Sequence, residues 1–265
     1  MTTTAPATPA TPTTSPVPAS FDGVAPTYDL MVALNPGYHR HLRISADVLV
    51  EQLPRPGQLR GRPVRVVDLG CGSGASTRAV EAALRAAGHT SYEVVGVDGS
   101  AGMLEQARSK TWRGQVRFVQ DDAEHLDPGS WDPEHADGPT PTAYDGVFAA
   151  YLVRNVTARD SLLRGVVDLL APGGVVVLHE YSVSESRRAR VVWDAVSWGV
   201  VVPLGLLTAP RSPIYRYLWR SVVEFDATER LRSRMVAAGL TDVRSRTFGG
   251  WQRGVLHTFT GRRPA

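Results

Sequence analysis

A chain of 265 residues with 43% hydrophobic side chains can bury one large core, which points to a single domain with embellishments. The formal charge of +3 is near balance, so the composition calls for no polyanionic partner. The one cysteine, Cys71, excludes an intrachain disulfide and fits a reducing cytoplasm.

Residues 1–20 are almost entirely Thr, Pro, Ala and Ser and carry no charged side chain. Such a segment offers too little apolar surface to offset its chain entropy and reads as a disordered tail, with neither a secretory leader pattern nor the arginines of a transit peptide. Residues 21–62 read as a helical lid ahead of the first strand, with Tyr28, Leu30, Met31 and Leu34 apolar. Residues 63–265 form the main domain, and 183–222 within it reads as a substrate-pocket insertion.

Short apolar runs then alternate with helical periodicity. Arg65 to Leu69 is the first strand, and Ala75 to Ala87 is a helix stopped by Gly88. Glu93 to Asp98 and Val116 to Val119 are the next two strands. A Pro-, Gly- and Asp-rich loop from Asp127 to Thr142 precedes a fourth strand, Tyr144 to Ala150. Thr157 suits an N-cap for a helix ending near Ala171-Pro172-Gly173-Gly174, and Val175 to Tyr181 is a fifth, buried strand. Val191 to Leu207 is apolar apart from Asp194 and Ser197. Gly199, Pro203 and Gly205 argue against a membrane span there, which leaves a core helix or the wall of an apolar pocket touching a membrane surface. Asp226-Ala227-Thr228-Glu229 is a variant capping box opening a helix that Gly239 ends. Val243 to Thr247 and Val255 to Thr260 close the chain as an antiparallel pair at the sheet edge. The fold expected is α/β: a Rossmann-like, doubly wound, mostly parallel seven-stranded sheet with an antiparallel final hairpin and an N-terminal helical lid.

The chemistry starts at Val66-Val67-Asp68-Leu69-Gly70-Cys71-Gly72-Ser73-Gly74, a strand that breaks into glycines at every second position before a helix. Glycines let a ligand approach the backbone closely, but this spacing differs from the dinucleotide fingerprint. Asp68 would repel a pyrophosphate and suits a ligand carrying an ammonium and a sulfonium, namely S-adenosyl-L-methionine. About thirty residues on, Asp98 at the tip of the second strand can accept from both ribose hydroxyls. Gly99 opens the next helix, and Met103 is placed to pack on an adenine ring. After the third strand, an acid in Asp121-Asp122-Ala123-Glu124 can accept from the adenine amino group. Three acids at three successive strand ends look like a class I methyltransferase.

From Phe21 onward the chain resembles the ubiquinone/menaquinone-biosynthesis C-methyltransferases. The resemblance is carried by Val24 to Met31 with Gly37 to Arg40, by Leu152-Val153-Arg154-Asn155-Val156, by Ser212 to Leu218 with Ser221 and Phe225, and by Gly249-Gly250 with Leu256-His257. It implies cofactor contacts at Ser73, Asp98, Asp122 with Ala123, and Ala150. It also implies a small-molecule acceptor, a lipidic reduced quinone; Ala149-Ala150-Tyr151-Leu152 is no Asn/Asp-Pro-Pro-aromatic motif and the arginines form no stripe with aromatics, so no nucleic acid is expected. A cytoplasmic protein with peripheral contact at the inner membrane face, and a homodimer, are compatible with it. The chain departs from the family where Ala150 replaces a serine and where His179-Glu180-Tyr181 replaces the commoner Leu-Glu-Phe.

Methylating a quinol ring carbon calls for a base or a bound water near the phenolic hydroxyl, and the substrate must be in its reduced form. Arg154 can stabilise phenolate or polarise water, Asn155 can orient it, and His39 on the lid can act as base. Tyr28, Met31, Tyr217 and Trp198 are candidates for the substrate wall. Glu180 is a rim acid suited to pair with an arginine. Two other readings stay open: a small-molecule O- or C-methyltransferase of secondary metabolism, and a non-catalytic adenosylmethionine-binding partner subunit.

Overall fold

Along β1 (Val64–Leu69), Val66 turns to one face of the sheet and Val67 to the other, and both are fully buried. A strand covered on both faces has no need of polar alternation, which is why the run reads as continuous valine. The computed structural model describes residues 37–59, 61–131, 143–203 and 214–265. Within them β1 joins β2 (Tyr92–Asp98), β3 (Gln115–Gln120), β4 (Tyr144–Ala150), β5 (Leu170–Tyr181), β6 (Thr241–Thr247) and β7 (Leu256–Arg262) in one sheet. The order is β3-β2-β1-β4-β5-β7-β6. β1 to β5 pair in parallel, whereas β7 runs antiparallel to both β5 and β6. The closing pair therefore lies with β7 inside and β6 at the edge. Strand order reverses between β1 and β4, which opens a crevice at their carboxyl ends.

Helices cover both faces. On one side lie α1 (Tyr38–Val50) and α2 (Ala75–Ala86), whose Leu42, Ala46, Leu49, Val80 and Leu84 pack with Val66, Val94, Phe148 and Val177. On the other lie α4 (Arg159–Leu169) and α7 (Thr228–Ala237), whose Leu163, Val166 and Met235 pack with Val67, Val147, Val176 and Phe259. The remaining helices are α3 (Ala101–Arg108), α5 (Arg187–Val196) and α6 (Ile214–Val223). Burying a leucine fully contributes roughly 2 kcal/mol. Leu42 and Leu49 are both fully buried, so α1 is part of the core, and only its first residue, Tyr38, reaches the cavity described below. The rest of the expected lid up to residue 36, including Tyr28 and Met31, lies outside the described residues.

Three local expectations are corrected. Thr157 is not a helix cap: its backbone N–H donates to Glu124 Oε1 at 2.7 Å, which holds it outside α4, and Ala158 is the N-cap. That helix also stops earlier than expected, at Leu169, because Leu170 pairs with Tyr144 and already belongs to β5. Pro172 follows and disfavours helix at the residue before it. The capping box at Asp226 to Glu229 does not form. Glu185, distant in sequence, takes the Glu229 N–H at 2.7 Å and the Thr228 hydroxyl, while Asp226 turns to Arg234 at 2.7 Å.

The apolar stretch from Val191 is helical as α5 and continues as a π turn over Ser197–Val201. Among the described residues, no helix is long and apolar enough to cross a membrane. Most of the expected loop from Asp127 to Thr142 lies outside the described residues.

Candidate active site

After Leu69 the chain turns through Gly70, Gly72 and Gly74, with φ of +69°, +52° and +90°. L side chains rarely adopt such values, so the glycine spacing is a backbone requirement. The Gly70 and Cys71 N–H groups donate to Val97 O at 2.8 and 3.0 Å, which ties the loop to the tip of β2. Asp98 completes the tie: its carboxylate accepts from Gly72 N at 2.8 Å and from Ser100 N at 2.9 Å. Lys110, the one lysine in the sequence, donates to Ser73 O at 2.7 Å from the far side.

Asp68 stands behind this loop, not in the cavity. It is fully buried, and one oxygen accepts from Ser76 Oγ at 2.7 Å and Thr77 Oγ1 at 2.6 Å. Its other oxygen has no hydrogen-bond partner among the described residues. Burial pushes its pKa up to about 7 against the lowering effect of the two hydroxyls. Asp68 thus braces the loop against α2 from beneath.

The loop floors a cleft of about 910 Å³, part of it open to solvent. At one end are Gly70, Gly72, Ser73, Asp98, Met103, Asp122 and Ala123. Ala150, Tyr151, Leu152, Arg154, Asn155 and Tyr38 form the other end. Met103 is buried, with its N–H capped by Ser100 Oγ, and presents an apolar wall. Gly99 and Gly74 flank the cleft without lining it: Gly99 O accepts from Gln120 Nε2 at 3.2 Å, and Gly74 is the N-cap of α2.

Adenosylmethionine fits this end. A Cβ added at Gly72 would meet no atom within 4 Å, so the loop leaves open space for a ligand against its backbone. The carboxylates of Asp98, Asp122 and Glu124 give the cleft the sign that a sulfonium and an ammonium require. Asp98 and Asp122 both line the cleft as carboxylate acceptors.

At the other end Arg154 is buried. Its Nη1 donates to Glu180 Oε2 at 2.9 Å, and its guanidinium lies 5.2 Å from the Tyr151 ring centre. Glu180, at the end of β5, is fully buried, and burial pushes its pKa up while Arg154 pulls it back. Asn155 has a fixed amide: Nδ2 donates to Tyr151 O at 2.9 Å, and Oδ1 accepts from Tyr217 OH at 3.2 Å. Tyr217 therefore reaches the site through Asn155.

Two expected residues stay apart. His39 is exposed on α1 and does not line the cleft. Trp198 is 47% exposed in the π turn and packs on Trp219, not on the cleft.

Tyr151 was missed by motif reading. It has φ of +58° and stacks between Tyr38 and Tyr181 at 5.6 and 4.9 Å. Its hydroxyl meets His179 Nε2 at 3.0 Å, and His179 Nδ1 meets Ser45 Oγ at 2.8 Å, which in turn contacts Thr258 Oγ1 at 2.7 Å. A tyrosine directly after β4 and a histidine in an otherwise apolar β5 were the available signals. Burial first, and then the charges of His41 and Arg154, push the His179 pKa down to about 3, so the ring is neutral. Among the described residues no cluster of His, Cys, Asp and Glu is arranged to hold a metal ion.

The model of the ubiE/COQ5 methyltransferase family matches residues 11–262. A ubiquinone/menaquinone biosynthesis C-methyltransferase UbiE of Pseudomonas aeruginosa is 33% identical over 250 residues, covering 92% of this chain and 87% of the relative. Among solved structures, a Thermotoga maritima methyltransferase described as a possible histamine N-methyltransferase is 18% identical. It superimposes with a TM-score of 0.58 over 92% of this chain and 99% of its own. Human N-acetylserotonin methyltransferase in complex with adenosylmethionine is 15% identical, with a TM-score of 0.58 over 92% of this chain and 57% of its own. At those identities the structures share the fold. With the family model spanning nearly the whole sequence, the chain belongs to the ubiE/COQ5 methyltransferase family and is an S-adenosylmethionine-dependent methyltransferase.

Proposed function

We propose that the acceptor is a prenylated quinol, methylated on a ring carbon, as in the conversion of demethylmenaquinol to menaquinol or of the equivalent ubiquinone precursor. The observation that carries this reading is Arg154, a guanidinium held at the aromatic end of the cleft between Glu180 and the rings of Tyr151 and Tyr181. A phenolic acceptor becomes nucleophilic at the ortho carbon when its hydroxyl is ionised, and a fixed cation stabilises that ionised form. The names of the related C-methyltransferases support the same acceptor class.

Bound adenosylmethionine supplies an electrophilic methyl group on sulfur. The loop from Gly70 to Ser73, with Asp98 and Asp122, would hold that donor, and the acceptor's ring carbon would exchange its proton for the methyl group. Arg154 holds the phenolate oxygen. Glu180 keeps the guanidinium in place, and Asn155, locked by Tyr151 O and Tyr217 OH, orients the hydroxyl or a water on it. Tyr38, Leu152 and Val156 keep the acceptor end apolar, so that alignment in a dry site supplies most of the rate. Because His39 stands outside the cleft lining, the proposal rests on Arg154 and not on a histidine base.

The test is anaerobic incubation of the purified protein with labelled adenosylmethionine and chemically reduced demethylmenaquinone. A labelled methyl on the ring carbon is the expected product. Label confined to hydrophilic phenols, with cofactor binding confirmed in the same sample, would replace this reading with that of a secondary-metabolite methyltransferase.

A further inference from the structure

Five large apolar side chains are exposed among the described residues, and three of them, Val191 (66%), Trp198 (47%) and Val200 (58%), lie on α5 and its π turn. The spacing explains why. Arg187, Val191, Ala195 and Trp198 recur at four, four and three residues, which places them along one helix face. The opposite face carries Ala189 and Trp193, both buried. This helix is thus apolar on the inside, as a core helix must be, and apolar again on the outside, where water should favour polar side chains.

Two cations open that outer face. Arg187 and Arg188 are exposed at its start and make no ion pair with a carboxylate among the described residues. Asp194, the one acid on the segment, is taken by Arg190 at 3.0 Å. Tryptophan and valine flanked by unpaired arginines suit the boundary between anionic headgroups and acyl chains.

The inner face connects this surface to the active site. Trp193 meets Tyr181 at 4.9 Å with the rings tilted, and Tyr181 stacks at 4.9 Å on Tyr151, which lines the cleft. One column of rings therefore runs from the helix to the wall of the acceptor end.

We propose that the outward face of α5 and its π turn is a docking surface for an anionic lipid bilayer. On it the protein collects an acceptor whose tail stays in the membrane. The choice of a bilayer rests on the arginines and on the prenylated-quinol reading above; the geometry of the surface does not depend on that reading.

The experiment uses the full chain and vesicles, with no methyl acceptor present. Vesicles of phosphatidylglycerol mixed with phosphatidylcholine are compared by flotation with phosphatidylcholine alone. The protein is expected to float with the anionic vesicles and to be released at about 0.5 M salt. Arg187→Glu/Arg188→Glu and Val191→Asp/Val200→Asp should each reduce partitioning by at least about tenfold. Their melting temperature and adenosylmethionine affinity should stay at the wild-type value. Absence of binding to anionic vesicles, equal binding by the variants, or a concentration-dependent dimer that the variants abolish would each overturn the proposal. In the last case, a second copy of the chain covers the face. Failure of the methyl-transfer assay with normal vesicle binding would strike only the quinol reading.

Discussion

Arg154 Nη1 lies 2.9 Å from Glu180 Oε2, and both side chains are buried beside the acceptor end of the cleft. The pair joins the turn after β4 to the end of β5, so a stability role and a catalytic role coincide in one residue and must be separated experimentally.

Arg154→Ala leaves an uncompensated buried carboxylate and should destabilise the fold by about 3–5 kcal/mol. Arg154→Met combined with Glu180→Met removes both charges and should recover most of that loss. If Arg154 acts on the acceptor, the double variant stays nearly inactive while binding adenosylmethionine normally. Thermal melts, calorimetric titration of the cofactor and turnover on one preparation decide it; restored turnover would reduce Arg154 to a structural tie.

Asp98 accepts two backbone N–H groups that shape the loop, and it faces the cleft. Asp98→Asn removes the charge that strengthens both bonds, each worth about 1.5–3 kcal/mol. Cofactor affinity should drop by about ten- to a hundredfold, a larger effect than any change in the acceptor KM. Titration calorimetry on the variant measures the first, and initial rates at saturating cofactor measure the second.

Gly72 and Gly74 should respond differently to alanine. At Gly74, with φ of +90°, the new Cβ would lie 3.0 Å from ring carbons of Trp112, so the loop must shift and stability falls by about 1–2 kcal/mol. At Gly72, with φ of +52°, the Cβ meets nothing within 4 Å and stands in the open space beside the cleft. Gly72→Ala should therefore weaken cofactor binding more than it lowers the melting temperature, and Gly74→Ala the reverse.

His179 predicts a pH dependence with a definite sign. Its folded pKa is pushed from 6.5 down to about 3, so below 6.5 the unfolded chain takes a proton that the folded one refuses. Its contribution is present above 6.5 and is lost as pH falls toward about 3. Asp68, with its pKa raised from 3.8 to about 7, works in the opposite direction, costing stability as pH rises through that interval. Comparison of variants isolates each group. His179→Leu should start less stable, because Tyr151 OH and Ser45 Oγ lose their partner, and should then lose less on acidification than the wild type. Melting temperatures across the acid range provide the measurement; parallel curves would mean that His179 titrates normally.

The elements that a local pattern can encode were legible in the sequence. The glycine turn after β1, the acids at the tips of β2 and β3, and the parallel alternation through Tyr181 each lie within a few consecutive residues whose own periodicity and backbone demands dictate them. What the sequence could not display is which distant group satisfies a given polar atom. Thr157 looks like a cap and Asp226 to Glu229 like a capping box, but Glu124 and Glu185, brought in by other elements, take the hydrogen bonds. Asp68 looks like a ligand contact until the packing of α2 on β1 places Ser76 and Thr77 over it and turns it away from the cleft. Arg154 and Glu180 are 26 residues apart and meet only because β4 and β5 lie side by side. His39 and Trp198 carry plausible chemistry, yet α1 and the π turn after α5 leave them exposed and off the cleft. Local sequence determines where strands, turns and helices form because the restraints are backbone torsion and alternation. The partners of buried charges depend on crossings between strands far apart in the chain, and tertiary structure alone decides them.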